Sequence, residues 1–265
     1  MKHGQIILFI IFTTICMVLC YALYKYYKSP EVREFYKIPT HYDDTIRIAY
    51  IGDSWAAMHK KHECIIAKMI EDSVHRTVIV SSFGIHGKTS KEIYESLFDN
   101  KEMRNFIMQG YDFCFISAGI NDTYKKMSVT YYKTSINHII RFMRTNHIHP
   151  IILDIPDYDI NNAYEQQQLT RKVLRKVSML ITGSRLDCKQ DFRNTLSELI
   201  NDEKYSNQIS IINYQEWNND YPNNLKSYYL DDGMHLNQIG YKKLDSCIAQ
   251  HIIQQYIKAI KHPIH

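Results

Sequence analysis

Five short apolar runs, separated by longer amphipathic stretches, constrain this chain more than any other feature. The runs are Ile46–Ile51, Thr77–Ser82, Phe113–Ala118, Pro150–Ile155 and Ile209–Asn213. They have strand length and are rich in β-branched and aromatic residues. The stretches 55–73, 89–109, 128–147, 161–182, 189–203 and 238–260 are expected to be helices. Strands that alternate with helices form a parallel sheet covered on both faces. In such sheets ligands bind beyond the carboxyl ends of the strands. The 265 residues leave room for one sizeable domain of this kind after an apolar N-terminal segment.

That segment, Ile6–Tyr24, carries no charge. At about 1.5 Å per helical residue it spans the roughly 30 Å hydrocarbon core of a bilayer. Tyr21, Tyr24, Tyr26 and Tyr27 would lie near one interface, with Lys25 and Lys28 beyond. No small-x-small cleavage site follows it, and the bulky Leu19 before Cys20 does not fit a lipobox. We therefore expect a membrane anchor over residues 1–24, a tether over 25–45 and a folded domain over 46–265. Lys25, Lys28, Arg33 and Lys37 outnumber Lys2, which by charge alone favours a cytoplasmic domain. A very short N-terminus ahead of one apolar segment is the layout of a signal anchor, and it favours an extracytoplasmic one.

Charged residues make up 23% of the chain and the net charge is +4, too mild a balance to imply a nucleic-acid partner. Arg171, Lys172, Arg175 and Lys176 fall along one helix and read as a solvated surface. The six cysteines contain no CxxC pair, which argues against a disulfide framework or zinc scaffold.

Four blocks that carry chemistry fall where strands end. Gly52-Asp53-Ser54 follows the first run. A serine there can attack a carbonyl if a base takes its proton, or it can simply cap a helix. Asp232-Gly233-Met234-His235 offers such a base, with a carboxylate three residues away to hold its tautomer. Asp231 is adjacent and reads as a turn residue. Gly119-Ile120-Asn121-Asp122 ends the third run, which is expected beside the first. The Asn121 amide can donate to a developing oxyanion, or serve a turn. Gly84-Ile85-His86-Gly87-Lys88-Thr89 follows the second run, and the backbone N–H of Gly87 can approach a ligand closely.

Together these blocks resemble the SGNH hydrolase family, also called GDSL lipases/esterases. Their order matches, and DGMHLNQIGY is similar to the family's last block, DGxHPNxxGY. The resemblance covers about residues 46–260. It implies a three-layer, flavodoxin-like α/β fold with about five parallel strands and helices on both faces, behind one transmembrane helix. It further implies Ser54 as nucleophile, Asp232 and His235 as its partners, and the Ser54 and Gly87 amides with Asn121 as oxyanion donors. Asp122 would be structural, and no metal or cofactor is expected. Two residues depart from the pattern: Trp55 replaces a leucine, with the expectation that it narrows or reshapes the acyl site, and Leu236 replaces a proline.

The activity implied is a serine esterase acting on small acyl groups, acetyl foremost, of a cell-envelope glycan. The anchor motivates that substrate, as do Tyr124, Trp217, Tyr221, Tyr228 and Tyr229 near the active-face loops. An O-acyltransferase, a lysophospholipase or a thioesterase would use the same residues. A non-catalytic binding module would not need Ser54, Asn121 and His235 together. No GxxxxGK[ST] or GxGxxG nucleotide loop is present. Oligomeric state stays open.

Overall fold

The computed structural model describes residues 3–62, 64–201 and 208–261. The strands are β1 (Ile46–Gly52), β2 (Val78–Gly84), β3 (Phe113–Ser117), β4 (His149–Leu153) and β5 (Ser210–Ile212). The helices through the middle of the chain are α1 (His3–Tyr27), α2 (Ser54–His59), α3 (Ile66–Val74), α4 (Ser90–Asp99), α5 (Lys101–Ile107), α6 (Ile120–Lys125) and α7 (Val129–Thr145). They continue as α8 (Ile160–Glu165), α9 (Leu169–Thr182), α10 (Lys189–Asn201), α11 (Tyr214–Trp217), α12 (Tyr221–Tyr228) and α13 (Gln238–Lys261).

All pairings are parallel, in the order β2-β1-β3-β4-β5. This is the doubly wound, flavodoxin-like arrangement. Strand residues alternate between two cores, as a pleat requires. Ala49, Ile51, Cys114 and Ile116 pack with Ile93, Leu97, Ile136, Ile139 and Leu196 from α4, α7 and α10. Ile48, Tyr50, Phe113 and Phe115 pack with Ile66, Ile70, Leu244, Ile248 and Ile252 from α3 and α13. The order reverses between β1 and β3, so a crevice opens where β1 delivers Ser54 and β3 delivers Asn121.

Three expected helices are each two. The 55–73 stretch breaks after His59, whose buried ring is held by Ser82 and Asp245, while the Ile65 N–H donates to Asp245 to start α3. The 89–109 stretch breaks at Asn100, which is extended and caps α5 by accepting from the Met103 N–H. The 161–182 stretch breaks at residues 166–168, with Gln168 extended. Residues 202 and 203 of the expected 189–203 helix, like residues 1–2 and 262–265, lie outside the described residues. Helices α6, α11 and α12 are additional to the sequence expectation.

Helix α1 is long and apolar enough to cross a membrane, and none of its apolar stretch is buried by the domain. Residues 28–45 form neither helix nor strand and lie against the domain. The Tyr36 hydroxyl donates to the Leu97 carbonyl at 2.8 Å, and the Ile38 N–H donates to the Asn146 side chain at 2.7 Å.

Candidate active site

The turn from β1 into α2 presents Ser54. Gly52 must be glycine there: a Cβ would fall 2.1 Å from the Ser117 carbonyl oxygen. The Asp53 N–H donates to that same carbonyl, and the Asp53 carboxylate caps α2 by accepting from the Trp55 N–H at 3.0 Å. Ser54 is the first residue of α2, so its N–H has no acceptor within the helix.

His235 reaches Ser54 from the other end of the domain. Its Nε2 lies 2.9 Å from the Ser54 hydroxyl, and its Nδ1 lies 2.6 Å from an Asp232 carboxylate oxygen. The second Asp232 oxygen accepts from the backbone N–H groups of Met234 and His235, both at 2.9 Å. Burial pushes the Asp232 carboxyl up, but the His235 ring and these two N–H groups outweigh it and hold the group below its ordinary range. The loop itself is fixed by Leu230 N–H to His235 carbonyl and Gly233 N–H to Leu230 carbonyl bonds. The Tyr221 hydroxyl donates to the Gly233 carbonyl at 2.7 Å. The Tyr241 hydroxyl donates to the Trp55 carbonyl at 2.9 Å, tying the histidine block to the serine block. Asp231 is exposed beside this loop.

Asn121 lies in the first turn of α6, and its side-chain amide donates to Asp53 at 3.1 Å. An amide nitrogen carries two hydrogens, so one remains for the cleft that Asn121 lines. The Asp53 carboxyl is raised to about 6 by complete burial, against its bonds from Trp55 and Asn121. Asp122 is turned away from the cleft and accepts from the Ser90 N–H and hydroxyl at 2.8 and 2.5 Å, locking α6 to the start of α4. Burial raises its carboxyl to about 7 despite both bonds. Gly87 lies between β2 and α4 with φ +71°, its Cβ direction open.

Ser54, Gly87, Asn121, Asp232 and His235 all line one open cleft of about 540 Å³. Its far wall is the break between α8 and α9: Ala163, Gln166, Gln167, Gln168 and Arg171, with His86, Tyr124 and Met234 completing the lining. Sequence reasoning overlooked Asp53 and Tyr221 as positioning groups. The Asp beside the serine was a signal for the first; nothing local marks the second. Two aromatic expectations are corrected. Trp55 does not shape the acyl site; it is fully buried against Trp217, ring centroids 5.7 Å apart. Trp217 and Tyr229 are core residues, Tyr228 packs half-buried against the same core and Tyr221 braces the histidine loop, which leaves Tyr124 as the cleft aromatic of that group.

A second Ser–His–Asp chain runs Ser82–His59–Asp245, with contacts of 2.9 and 2.8 Å. Ser82 lies within β2 rather than at a strand end, and none of the three lines the cleft. Among the described residues, His59 and Asp245 with Cys64 form one group able to hold a metal ion, their ligand atoms within 4.8 Å. Burial pushes the Cys64 thiol up to about 11, with Asp245 adding to it. The His59 ring is already satisfied on both edges, so the trio reads as a buried clasp between α2 and α13.

The pattern of the GDSL-like lipase/acylhydrolase family matches residues 50–243. No curated protein matches the chain. Among solved structures, a lipase/acylhydrolase from Enterococcus faecalis is 17% identical, with 79% of this chain and 96% of that one covered and a TM-score of 0.51. An acetyl xylan esterase, AlAXEase, is 16% identical, covering 78% and 100%, with a TM-score of 0.52. The lipase Lip_vut3 from a goat rumen metagenome is 13% identical, covering 77% and 96%, with a TM-score of 0.53. At these identities the likeness is one of fold. The family pattern, by contrast, runs from the strand before Ser54 into the helix after His235, and on that ground the chain belongs to the GDSL-like lipase/acylhydrolase family of carboxylic ester hydrolases.

Proposed function

We propose that the chain is a serine esterase in which Ser54 is the nucleophile, His235 the general base and acid, and Asp232 the group that orients His235. The observation that carries this is the 2.9 Å contact between the Ser54 hydroxyl and His235 Nε2 on an open cleft. Ser54 Oγ attacks the ester carbonyl while its proton passes to Nε2. The resulting imidazolium is balanced by Asp232. The tetrahedral oxyanion accepts from the Ser54 and Gly87 N–H groups and from the Asn121 amide. Collapse breaks the ester C–O bond, and His235 returns the proton to the leaving alcohol. Water, deprotonated by His235, then attacks the acyl-enzyme and releases the acid and Ser54.

The cleft lining supports a small acyl group on a polar carrier. Gln166, Gln167, Gln168, Arg171 and His86 offer hydrogen bonds, and Met234, Ala163 and the Tyr124 ring supply apolar contacts for a small group. An acetylated envelope glycan fits that chemistry better than a long acyl chain, which needs an apolar channel. Helix α1 anchors the chain by a single pass, with the domain on the extracytoplasmic side, where an envelope glycan lies.

The test is hydrolysis of p-nitrophenyl esters of increasing chain length, then of acetylated glycans, by the parent and Ser54→Ala. Activity is expected to peak at acetyl and vanish in Ser54→Ala. Undiminished hydrolysis in the variant would overturn the assignment, and a preference for long chains would overturn the acetyl reading. Alkaline extraction of membranes should leave the chain in the pellet.

A further inference from the structure

Helix α9 packs inside out. Of its fourteen residues Ser178 alone is buried, while Leu169, Val173, Leu174, Leu180 and Ile181 are each at least half exposed and Leu180 is 84% exposed. At helical spacing Leu169, Val173, Val177 and Leu180 form a stripe, with Leu174 and Ile181 adjoining. The domain is met instead by the polar face. Arg175 donates to the Lys125 carbonyl at 3.4 Å and lies over the Tyr124 ring, and Ser178 is buried on the face opposite the stripe, where Tyr27 of α1 bonds it. A soluble domain does the reverse.

Two further observations say what covers the stripe. The end of α1 docks at the same place: the Tyr27 hydroxyl bonds the Ser178 hydroxyl, and Lys91 on α4 donates to the carbonyls of Lys25 and Lys28 at 3.2 and 2.8 Å. Helix α9 thus lies at the level at which α1 meets the domain. Helix α9 also carries four cations, Arg171, Lys172, Arg175 and Lys176, and no acidic residue; of these Lys172 is paired with Glu165 of α8 at 2.8 Å, and the other three have no carboxylate partner on α9 itself. A second copy of α9 would bring two such cation sets together, which disfavours self-pairing. Negatively charged headgroups complement them.

We infer that α9 lies in the interface of an anionic lipid bilayer, with Leu169, Val173, Leu180 and Ile181 in the acyl boundary and Lys176 among the headgroups. The inference rests on reading α1 as a membrane span. It also bears on substrate, because Gln168 and Arg171 belong both to this segment and to the cleft wall. The cleft mouth then faces esters held at the membrane surface.

The experiment uses the full chain in phosphatidylcholine–phosphatidylglycerol nanodiscs, with Leu180→Trp as reporter and Phe12→Trp as the anchor control. Trp55 and Trp217 are both buried, so the parent protein supplies a constant background. Lipids brominated near the headgroup end of the acyl chain should quench and blue-shift Leu180→Trp; chain-end bromines should quench Phe12→Trp. Quenching of Phe12→Trp with Leu180→Trp still water-exposed leaves the anchor standing and overturns the inference. Loss of both signals overturns the anchor reading and the inference with it. Equal quenching of Leu180→Trp in phosphatidylcholine alone overturns the anionic-lipid assignment. A doubled protein mass per disc with Leu180→Trp shielded from bromine points to paired copies and overturns it as well.

Discussion

The Asn121 amide donates to the Asp53 carboxylate at 3.1 Å, so the loop after β3 is pinned to the residue that immediately precedes Ser54. One carboxylate therefore caps α2 and aims an amide at the cleft. Asn121→Ala is expected to lower kcat by about 10²–10³, or ~3–4 kcal/mol, with little change in KM, because the charge it meets forms only in the transition state. Asn121→Asp should be at least as harmful, since it sets a second carboxylate against Asp53 where negative charge develops. Measuring kcat, KM and Tm for both variants checks this. Near-normal kcat in Asn121→Asp would remove Asn121 from the site.

Gly52 and Gly87 make opposite forecasts. At Gly52 a Cβ would lie 2.1 Å from the backbone oxygen of Ser117, which cannot swing aside. Gly52→Ala is expected to lose stability at or beyond the top of the ~1–3 kcal/mol range for overpacking. At Gly87 nothing lies within 4 Å of the Cβ position, and only the left-handed backbone is strained. Gly87→Ala should lose about 1–2 kcal/mol and still hydrolyse a small soluble ester. Thermal melts of the two variants decide; equal Tm losses would contradict the close contact at Gly52.

Asp122 gives a pH signature. Its folded carboxyl titrates near 7 rather than the unfolded 3.8, because burial outweighs the two Ser90 bonds. Below about pH 4 both states hold the proton. Between that point and about 7 the folded state holds it more tightly, so its contribution to stability falls as pH rises. The stability advantage of the parent over Asp122→Asn should therefore shrink from pH 4 to pH 7. An advantage that grows over that window would show that the Ser90 bonds win.

Asp232→Asn separates orientation from folding. The Asp232 side chain is 45% exposed, so Tm should scarcely move. An amide facing His235 Nδ1 stabilises the wrong tautomer, and kcat is expected to fall by about 10⁴, the scale for losing the carboxylate of such a triad. A kcat loss that tracks a Tm loss would instead mark Asp232 as a loop brace.

Strand positions were legible because Ile46–Ile51 and Phe113–Ala118 are apolar at all but one position each, Arg47 and Ser117, as expected of sheet strands covered on both faces. The convergence of Ser54, Gly87, Asn121, Asp232 and His235 on one cleft was legible because each follows such a run or closes a short motif. The breaks after His59 and at residues 166–168 were not. Periodicity continues through both, and what ends α2 is the pairing of His59 with Asp245, 186 residues away. Trp55 and Trp217 were misread for a related reason: their mutual burial depends on how α2 and α11 meet, which no local pattern encodes. The cations of α9 read as one solvated face, which holds for Arg171 and Lys176; that Lys172 pairs with Glu165 and Arg175 lies over Tyr124 depends on how α9 meets its neighbours.

Covalent capture tests Ser54 most directly. The full chain is treated with a fluorophosphonate, digested and mapped by mass spectrometry. One adduct is expected, on Ser54, absent in Ser54→Ala and formed far more slowly in His235→Ala, where no base takes the proton. An adduct on Ser82, or labelling of Ser54 at an unchanged rate in His235→Ala, would contradict a Ser54 nucleophile activated through His235.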